Sequence, residues 1–179
     1  MARQTSSQRR KSRAARMAKG YALILRAIFT EAWFRELSDR GKCLAFYVAC
    51  GPHSNIIGAY PLLDGYVAAD LNWSMEETQA VMSELVQSGF VKRFGRGEYL
   101  LLCRHRDWNT VANHNVMKAA FKELRTLPPD PVLHVIIEWL RPLCIRFGKG
   151  LPEQLETVRV RLLEPFRNTE AQPPPAPPT

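Results

Sequence analysis

No lysine or arginine occurs between Cys43 and Val91, and no aspartate or glutamate occurs in the first twenty residues. The first absence leaves Asp64, Asp70, Glu76, Glu77 and Glu84 unopposed along that stretch. The second leaves Arg3, Arg9, Arg10, Lys11, Arg13, Arg16 and Lys19 as an uninterrupted cationic arm. The 179-residue chain carries +8, so almost all of its excess charge sits in that arm, and the rest is nearly neutral. A cationic arm on a neutral body reads as a contact for a polyanion. Aggregation control or plain solvation is the alternative for such a tail.

Other absences narrow the class. The four cysteines, Cys43, Cys50, Cys103 and Cys144, form no Cys-x-x-Cys pair. That argues against a disulfide scaffold and for reduced thiols in a cytosol-like compartment. No apolar run approaches the ~20 residues that a membrane span needs. Arg9-Arg10 ahead of residues 21–29 has the outline of an export signal, but Arg26 and Glu31 interrupt the apolar stretch. A cytoplasmic protein is expected. No Gly-rich phosphate loop, Gly-x-Ser-x-Gly elbow or paired-carboxylate constellation is present. Cys103, His105 and His114 lack the paired ligand spacing of a zinc site. Asn113-His114-Asn115 has no partner ligands for nuclease chemistry, and reads as a cap on the following helix. His53, in Gly51-Pro52-His53-Ser54-Asn55, reads as part of a turn rather than as a phosphate contact. The sequence therefore gives no enzyme, metal or cofactor.

What is there alternates in helical and strand periods. Thr30 is expected to cap a short helix to Leu37, and Ser38 to cap a helix over 39–49 that Gly51-Pro52 stops. That helix's apolar residues Cys43, Leu44, Phe46, Tyr47 and Val48 wrap most of its circumference and predict burial. Residues 56–60 read as a strand, and Pro61 as the first turn of a helix to Leu71. Ser74 and Glu77 form a capping-box pattern for a helix over 75–88, with Gly89 a left-handed stop. Its inward face is Thr78, Val81, Met82, Leu85 and Val86, and its outward face Glu76, Glu77, Gln79, Ala80, Ser83, Glu84 and Gln87. A hairpin is expected over 90–103, turning at Gly95-Arg96-Gly97. Residues 108–115 read as a loop. Helices are then expected over 116–127, over 131–147 behind Asp130 with a kink at Pro142, and over 151–166. Trp33, Trp73, Trp108 and Trp139 read as core or seam residues.

The order helix, strand, helix, tight turn, helix, hairpin is that of a winged helix-turn-helix. The fold expected is mainly α with a small β-hairpin wing, a winged helix-turn-helix domain followed by a C-terminal helical extension. The division expected is a disordered basic arm over 1–19, the winged-helix domain over 20–110, the extension over 111–167 and a proline-rich tail over 168–179.

Ala27-Ile28-Phe29, Phe34-Arg35-Glu36-Leu37-Ser38 and residues 51–60 resemble bacteriophage and prophage replication-associated winged-helix proteins. So do Ala68-Ala69-Asp70-Leu71-Asn72-Trp73-Ser74 and the later Trp108-Asn109 and Asn113-His114-Asn115-Val116. The resemblance covers roughly residues 20–135. It is similar in layout to replisome-organiser and replication-initiation proteins. It implies a cytoplasmic, nucleoid-associated protein that binds origin DNA and recruits a replication helicase or its loader. The chain departs from longer relatives by ending in a proline-rich segment.

DNA is the partner expected, met mainly at phosphates. The helix that would enter the major groove, over 75–88, is acidic, so contacts are assigned to the arm and the wing. The residues expected to carry them are Arg9, Arg10, Lys11, Arg13, Arg16 and Lys19 in the arm and Lys92, Arg93, Arg96 and Arg104 in and after the hairpin. Gln79 and Ser83 would read base edges. The alternatives are a winged-helix protein-interaction module that recruits a helicase or loader, and a transcriptional regulator.

Overall fold

A computed structural model of the chain describes residues 24, 26–108 and 111–166. Among these residues it is mainly helical, with one three-stranded antiparallel sheet. We number the longer helices α1 (Asp39–Cys50), α2 (Asp64–Leu71), α3 (Met75–Gln87), α4 (His114–Leu124), α5 (His134–Phe147) and α6 (Leu151–Leu163). The strands are β1 (Ala59–Pro61), β2 (Val91–Phe94) and β3 (Tyr99–Leu102). No described helix is long and apolar enough to cross a membrane.

The helix starts follow local chemistry. Ser38 Oγ accepts the Gly41 N–H at 2.9 Å and opens α1, as expected. Within α1 the burial is one-sided: Leu44, Ala45, Val48 and Ala49 are buried, whereas Cys43 is exposed. Ser74 Oγ accepts the Glu77 N–H at 3.1 Å, which is one half of the capping box. The Glu77 carboxylate does not return to Ser74; it pairs with Arg40 on α1. Asn113 Oδ1 accepts from Asn115 N and Val116 N at 3.0 and 3.1 Å, so α4 starts at His114, two residues earlier than expected. Asp130 caps only the single turn Pro131–Leu133, and α5 follows from it.

Four expectations need correction. Thr30 caps nothing: its hydroxyl donates to Ala27 O at 2.7 Å within the turn Arg26–Thr30, and the short helix Ala32–Arg35 starts at Glu31. The strand expected over 56–60 covers Ala59–Pro61 instead. Asn55 is the reason, because its Oδ1 accepts from Ile57 N and Ala59 N and its Nδ2 donates to Ala59 O. That side-chain turn takes Ile56–Gly58 out of the ladder. Pro61 therefore ends an edge strand, where its missing N–H is tolerated, and α2 begins only at Asp64. Finally, His105–Trp108 is a helical turn, so the expected loop is shorter at its start.

The sheet order is β1-β3-β2, which makes β3 the central strand. Opposed residues share a face: Tyr60 with Leu100 and Val91 with Leu102 on one, Ala59 with Leu101 and Phe94 with Tyr99 on the other. The first face packs beneath α1, α2 and α3 through residues such as Leu44, Val67 and Leu85. The second packs beneath α4, α5 and α6 through residues such as Phe121, Ile137 and Leu155. The chain is thus a sheet between two helical layers, with a core on each side. Trp33, Trp73 and Trp108 line the first core and Trp139 the second. The Tyr60 hydroxyl donates to Val48 O, and burial holds its phenol above its ordinary range.

Candidate nucleic-acid interface

Helix α3 buries Thr78, Val81, Met82 and Leu85 against the first core. Its exposed residues are Met75, Glu76, Gln79, Ala80, Ser83, Val86 and Gln87, so Val86, expected inside, is outside. Gln79, Ser83, Val86 and Gln87 face an open groove whose other wall is Asp64, Arg93 and Gly97. The Ser83 hydroxyl donates to the Gln79 backbone carbonyl one turn earlier, at 2.8 Å.

At the mouth of the groove the hairpin turns through three consecutive left-handed residues. Gly95, Arg96 and Gly97 have φ of 55°, 61° and 87°. Gly95 allows the close approach required there, since a Cβ would lie 2.9 Å from both Pro128 Cγ and Tyr99 Cδ2. Arg96 is exposed at this tip, beside the Gly97 wall of the groove.

Four of the five acids between Cys43 and Val91 have side-chain or backbone partners, and two of those partners are arginines from outside that stretch. Glu84, expected to point outward, turns back onto α1: its two carboxylate oxygens accept from Ser38 N at 2.5 Å and Ser38 Oγ at 2.7 Å. It fills the space above Gly41, where a Cβ would sit 2.9 Å from either oxygen. A carboxylate at a helix N-terminus is stabilised by the unpaired N–H groups and the positive end of the dipole. Glu77 pairs with Arg40, and Asp64 with Arg93. Asp70 accepts from the Tyr47 hydroxyl at 2.6 Å and lies 3.4 Å from His53 Nε2. The Tyr47 phenol is raised above its ordinary range by burial first and by Asp70 second. Glu76, in the first turn of α3, is exposed.

The remaining site residues divide. Arg9, Arg10, Lys11, Arg13, Arg16 and Lys19 lie outside the described residues. Arg93 is a strut: its guanidinium donates to Asp64, to Leu62 O and to Gly97 O. Lys92, next to it on β2, points to the other face of the sheet and lines a second groove with Asp130, His134, Arg159 and Glu164. Arg104 pairs with Glu31 in the N-terminal turns. Gln79 and Ser83 therefore share one groove with Arg93 in its other wall, Arg96 is exposed next to the Gly97 edge of that groove, and Lys92 and Arg104 lie elsewhere.

Several histidines and cysteines are tied into the fold. His105 is buried and its Nε2 donates to Ile56 O at 2.8 Å, with burial lowering its pKa. His53 sits in the turn after α1 and stacks on Tyr66 at 5.3 Å. Burial pushes the half-buried Cys103 thiol up, and pushes that of Cys144 to about 11. Among the described residues no three His, Cys, Asp or Glu side chains come together as a metal-ligand set.

One cationic feature went unread in the sequence. Helix α4 buries Met117, Ala120, Phe121 and Leu124 and exposes Lys118 and Lys122. Lysines four apart on an amphipathic helix were the available signal. Its one acid, Glu123, is half-buried and accepts from Asn55 Nδ2 at 3.3 Å. Lys149, in the turn between α5 and α6, lies close enough to His114 that it and Lys118 lower the imidazole pKa, behind partial desolvation as the main cause. No protein-family model, curated protein or solved structure matches this chain.

Proposed function

We propose that this chain is a non-catalytic DNA-binding protein of winged helix-turn-helix type. Helix α3 lies in the major groove, the hairpin tip lies on the adjacent backbone, and the basic arm adds phosphate contacts. The observation that carries this reading is the common face of Gln79, Ser83 and Gln87 along one open groove, whose other wall includes Gly97, the neighbour of the exposed Arg96 in the hairpin turn. Side-chain amides and hydroxyls on a groove-sized helix are suited to base edges. The inward turn of Glu84 and the pairing of Glu77 and Asp64 reduce the repulsion that the sequence places there. The order of α1, β1, α2, α3, β2 and β3 supports the winged-helix reading. The role is replication-associated, as the resemblance to phage proteins implies, with a helicase or its loader as the partner.

The test is a mobility shift on duplex DNA at several salt concentrations. Gln79→Ala with Ser83→Ala weakens sequence preference, by roughly 1–3 kcal/mol for a lost base contact. Arg96→Ala lowers affinity for all duplexes about equally and reduces the salt slope by about 1. Lys92→Ala leaves binding unchanged, because that side chain faces the other groove. Equal loss for Lys92→Ala and Arg96→Ala would place the contact elsewhere. The replication role is checked by mixing the protein, origin DNA and purified host helicase with its loader. A ternary complex supports it, and binding to DNA alone counts against it.

A further inference from the structure

The sheet has two covered faces, and the cationic stripe of α4 lies over the one that α3 does not touch. The buried sides of α3 and α4 face the sheet from opposite directions, so their exposed sides point away from each other. Two helical layers, each roughly 10 Å thick, and the sheet lie between them. A straight duplex held on the α3 face therefore does not reach Lys118 and Lys122.

We propose that Lys118 and Lys122, with Lys149 beside them, form a second duplex-DNA contact, so that one molecule bridges two DNA segments. This rests on the DNA-binding reading of α3 and the hairpin. Lys118 and Lys122 are one helical turn apart, about 6 Å along the axis, and exposed. Lys149 is exposed in a turn where Gly148, Lys149 and Gly150 all have positive φ, and it joins the stripe at the His114 end. None of the three pairs with a carboxylate among the described residues, in contrast to Arg93, Arg104 and Arg159.

The surroundings fit a phosphate backbone better than other polyanions. The exposed neighbours on α4 are Asn115 and Ala119, and the helix's large apolar residues are spent on the core. A membrane-surface helix needs that apolar side free for the lipid. An evenly charged duplex asks only for cations along a line, without a pocket.

The experiment uses the full chain. Beads carrying one duplex are mixed with protein and a second, labelled duplex, and the labelled duplex recovered is measured. A mobility shift on a single duplex of about 15 base pairs is run in parallel. The charge-removing variant is Lys118→Gln/Lys122→Gln/Lys149→Gln. Its positions are exposed, and an unchanged melting curve confirms that it is folded. The expected result is a tenfold or greater loss of bridging, with the single-duplex shift kept within about threefold, and a bridging salt slope shallower by about 3. Bridging that survives in the variant overturns the proposal and leaves the α3 reading standing. Equal loss of bridging and of the single shift makes α4 the sole DNA contact and overturns both readings. If Gln79→Ala/Ser83→Ala/Arg96→Ala leaves the single shift intact, the α3 reading fails and the bridging proposal that rests on it falls too. Lysine-dependent binding to phosphatidylserine vesicles without bridging overturns the proposal in favour of a membrane.

Discussion

Replacing Glu84 by alanine separates the two possible orientations of α3. The carboxylate accepts two hydrogen bonds from Ser38, at 2.5 and 2.7 Å, over the start of α1. Hydrogen bonds to a charged group contribute about 1.5–3 kcal/mol each. Both are accessible to water, which replaces part of each when the side chain is removed, so about half of that range applies. The helix-dipole contribution of a carboxylate at this position is about 0.3–1 kcal/mol. Alanine returns a few tenths of a kcal/mol through its higher helix propensity. The net expectation for Glu84→Ala is a loss of about 2 kcal/mol, or roughly 4–8 °C in Tm for a chain of this size. Urea unfolding followed by circular dichroism measures it. Ser38→Ala should cost about 1 kcal/mol through the lost cap. The double variant should fall short of the sum by about 1 kcal/mol or more, because the two residues act as one unit. The same variants carry a functional readout. A carboxylate facing DNA would strengthen binding when removed, whereas one tied to Ser38 leaves the affinity of folded protein unchanged. A stability loss under about 0.5 kcal/mol together with tighter DNA binding would refute the inward placement of Glu84.

The arm, the Asn55 turn and His105 give further tests. Deleting residues 2–19 removes seven cations, so the slope of log K against log salt should become shallower by about 6. An unchanged slope would show that the arm is merely solvated. Gly58→Ala should destabilise by about 2–5 kcal/mol, combining left-handed strain with overpacking. Gly58 has φ +66°, and the added Cβ would lie 2.4 Å from His105 Cγ, on a ring fixed by Ile56 O. A variant within about 0.5 kcal/mol of the parent in urea unfolding would count against that packing. His105 is held neutral in the folded state by burial, below its ordinary value of 6.5. As pH falls through 6.5, the unfolded chain takes up a proton that the folded chain resists, so stability declines from there toward the folded pKa. His105→Gln, which keeps a donor for Ile56 O, should flatten that part of the stability–pH curve. A slope between pH 6.5 and 5 that is identical in the two proteins would exclude His105 as its source.

How much of this was legible depends on the distance over which each feature is decided. Ser38, Ser74 and Asn113 cap as their sequence contexts predict, because the donor lies within three residues. The hairpin and the left-handed Gly89 were legible for the same reason. Pro61 misled because the turn before it is made by the Asn55 side chain, which competes with the ladder for Ile57 and Ala59. The double coverage of the sheet was written in β3 itself. Tyr99-Leu100-Leu101-Leu102 has no polar alternate, which is the pattern of a strand buried on both faces. The direction of Glu84 was beyond reach, since helical spacing places it near the edge of the apolar face and its partner is 46 residues away. Arg93 is similar: its cationic type suggested phosphate, while its partner Asp64 lies 29 residues earlier.

These long-range pairs change the electrostatic argument in kind. A count of formal charges treats each residue as facing solvent, and on that count α3 repels DNA. A carboxylate held by a helix start or a guanidinium projects a field that its partner largely cancels beyond about a Debye length, ~8 Å at physiological salt. After that cancellation Glu76 is the acid left exposed on α3. The pairs that quiet the acids also consume Arg40 and Arg93, so the cations still free to meet phosphate are few on this face. Base reading by Gln79 and Ser83, as proposed, would then have to be supported by charge brought from elsewhere. The arm is one source, and Lys118 and Lys122, on the far side, are not available to the same duplex. On the proposed DNA-binding reading, one duplex would be held through polar groups and the basic residues of the first twenty positions, and the separate row of lysines would meet another.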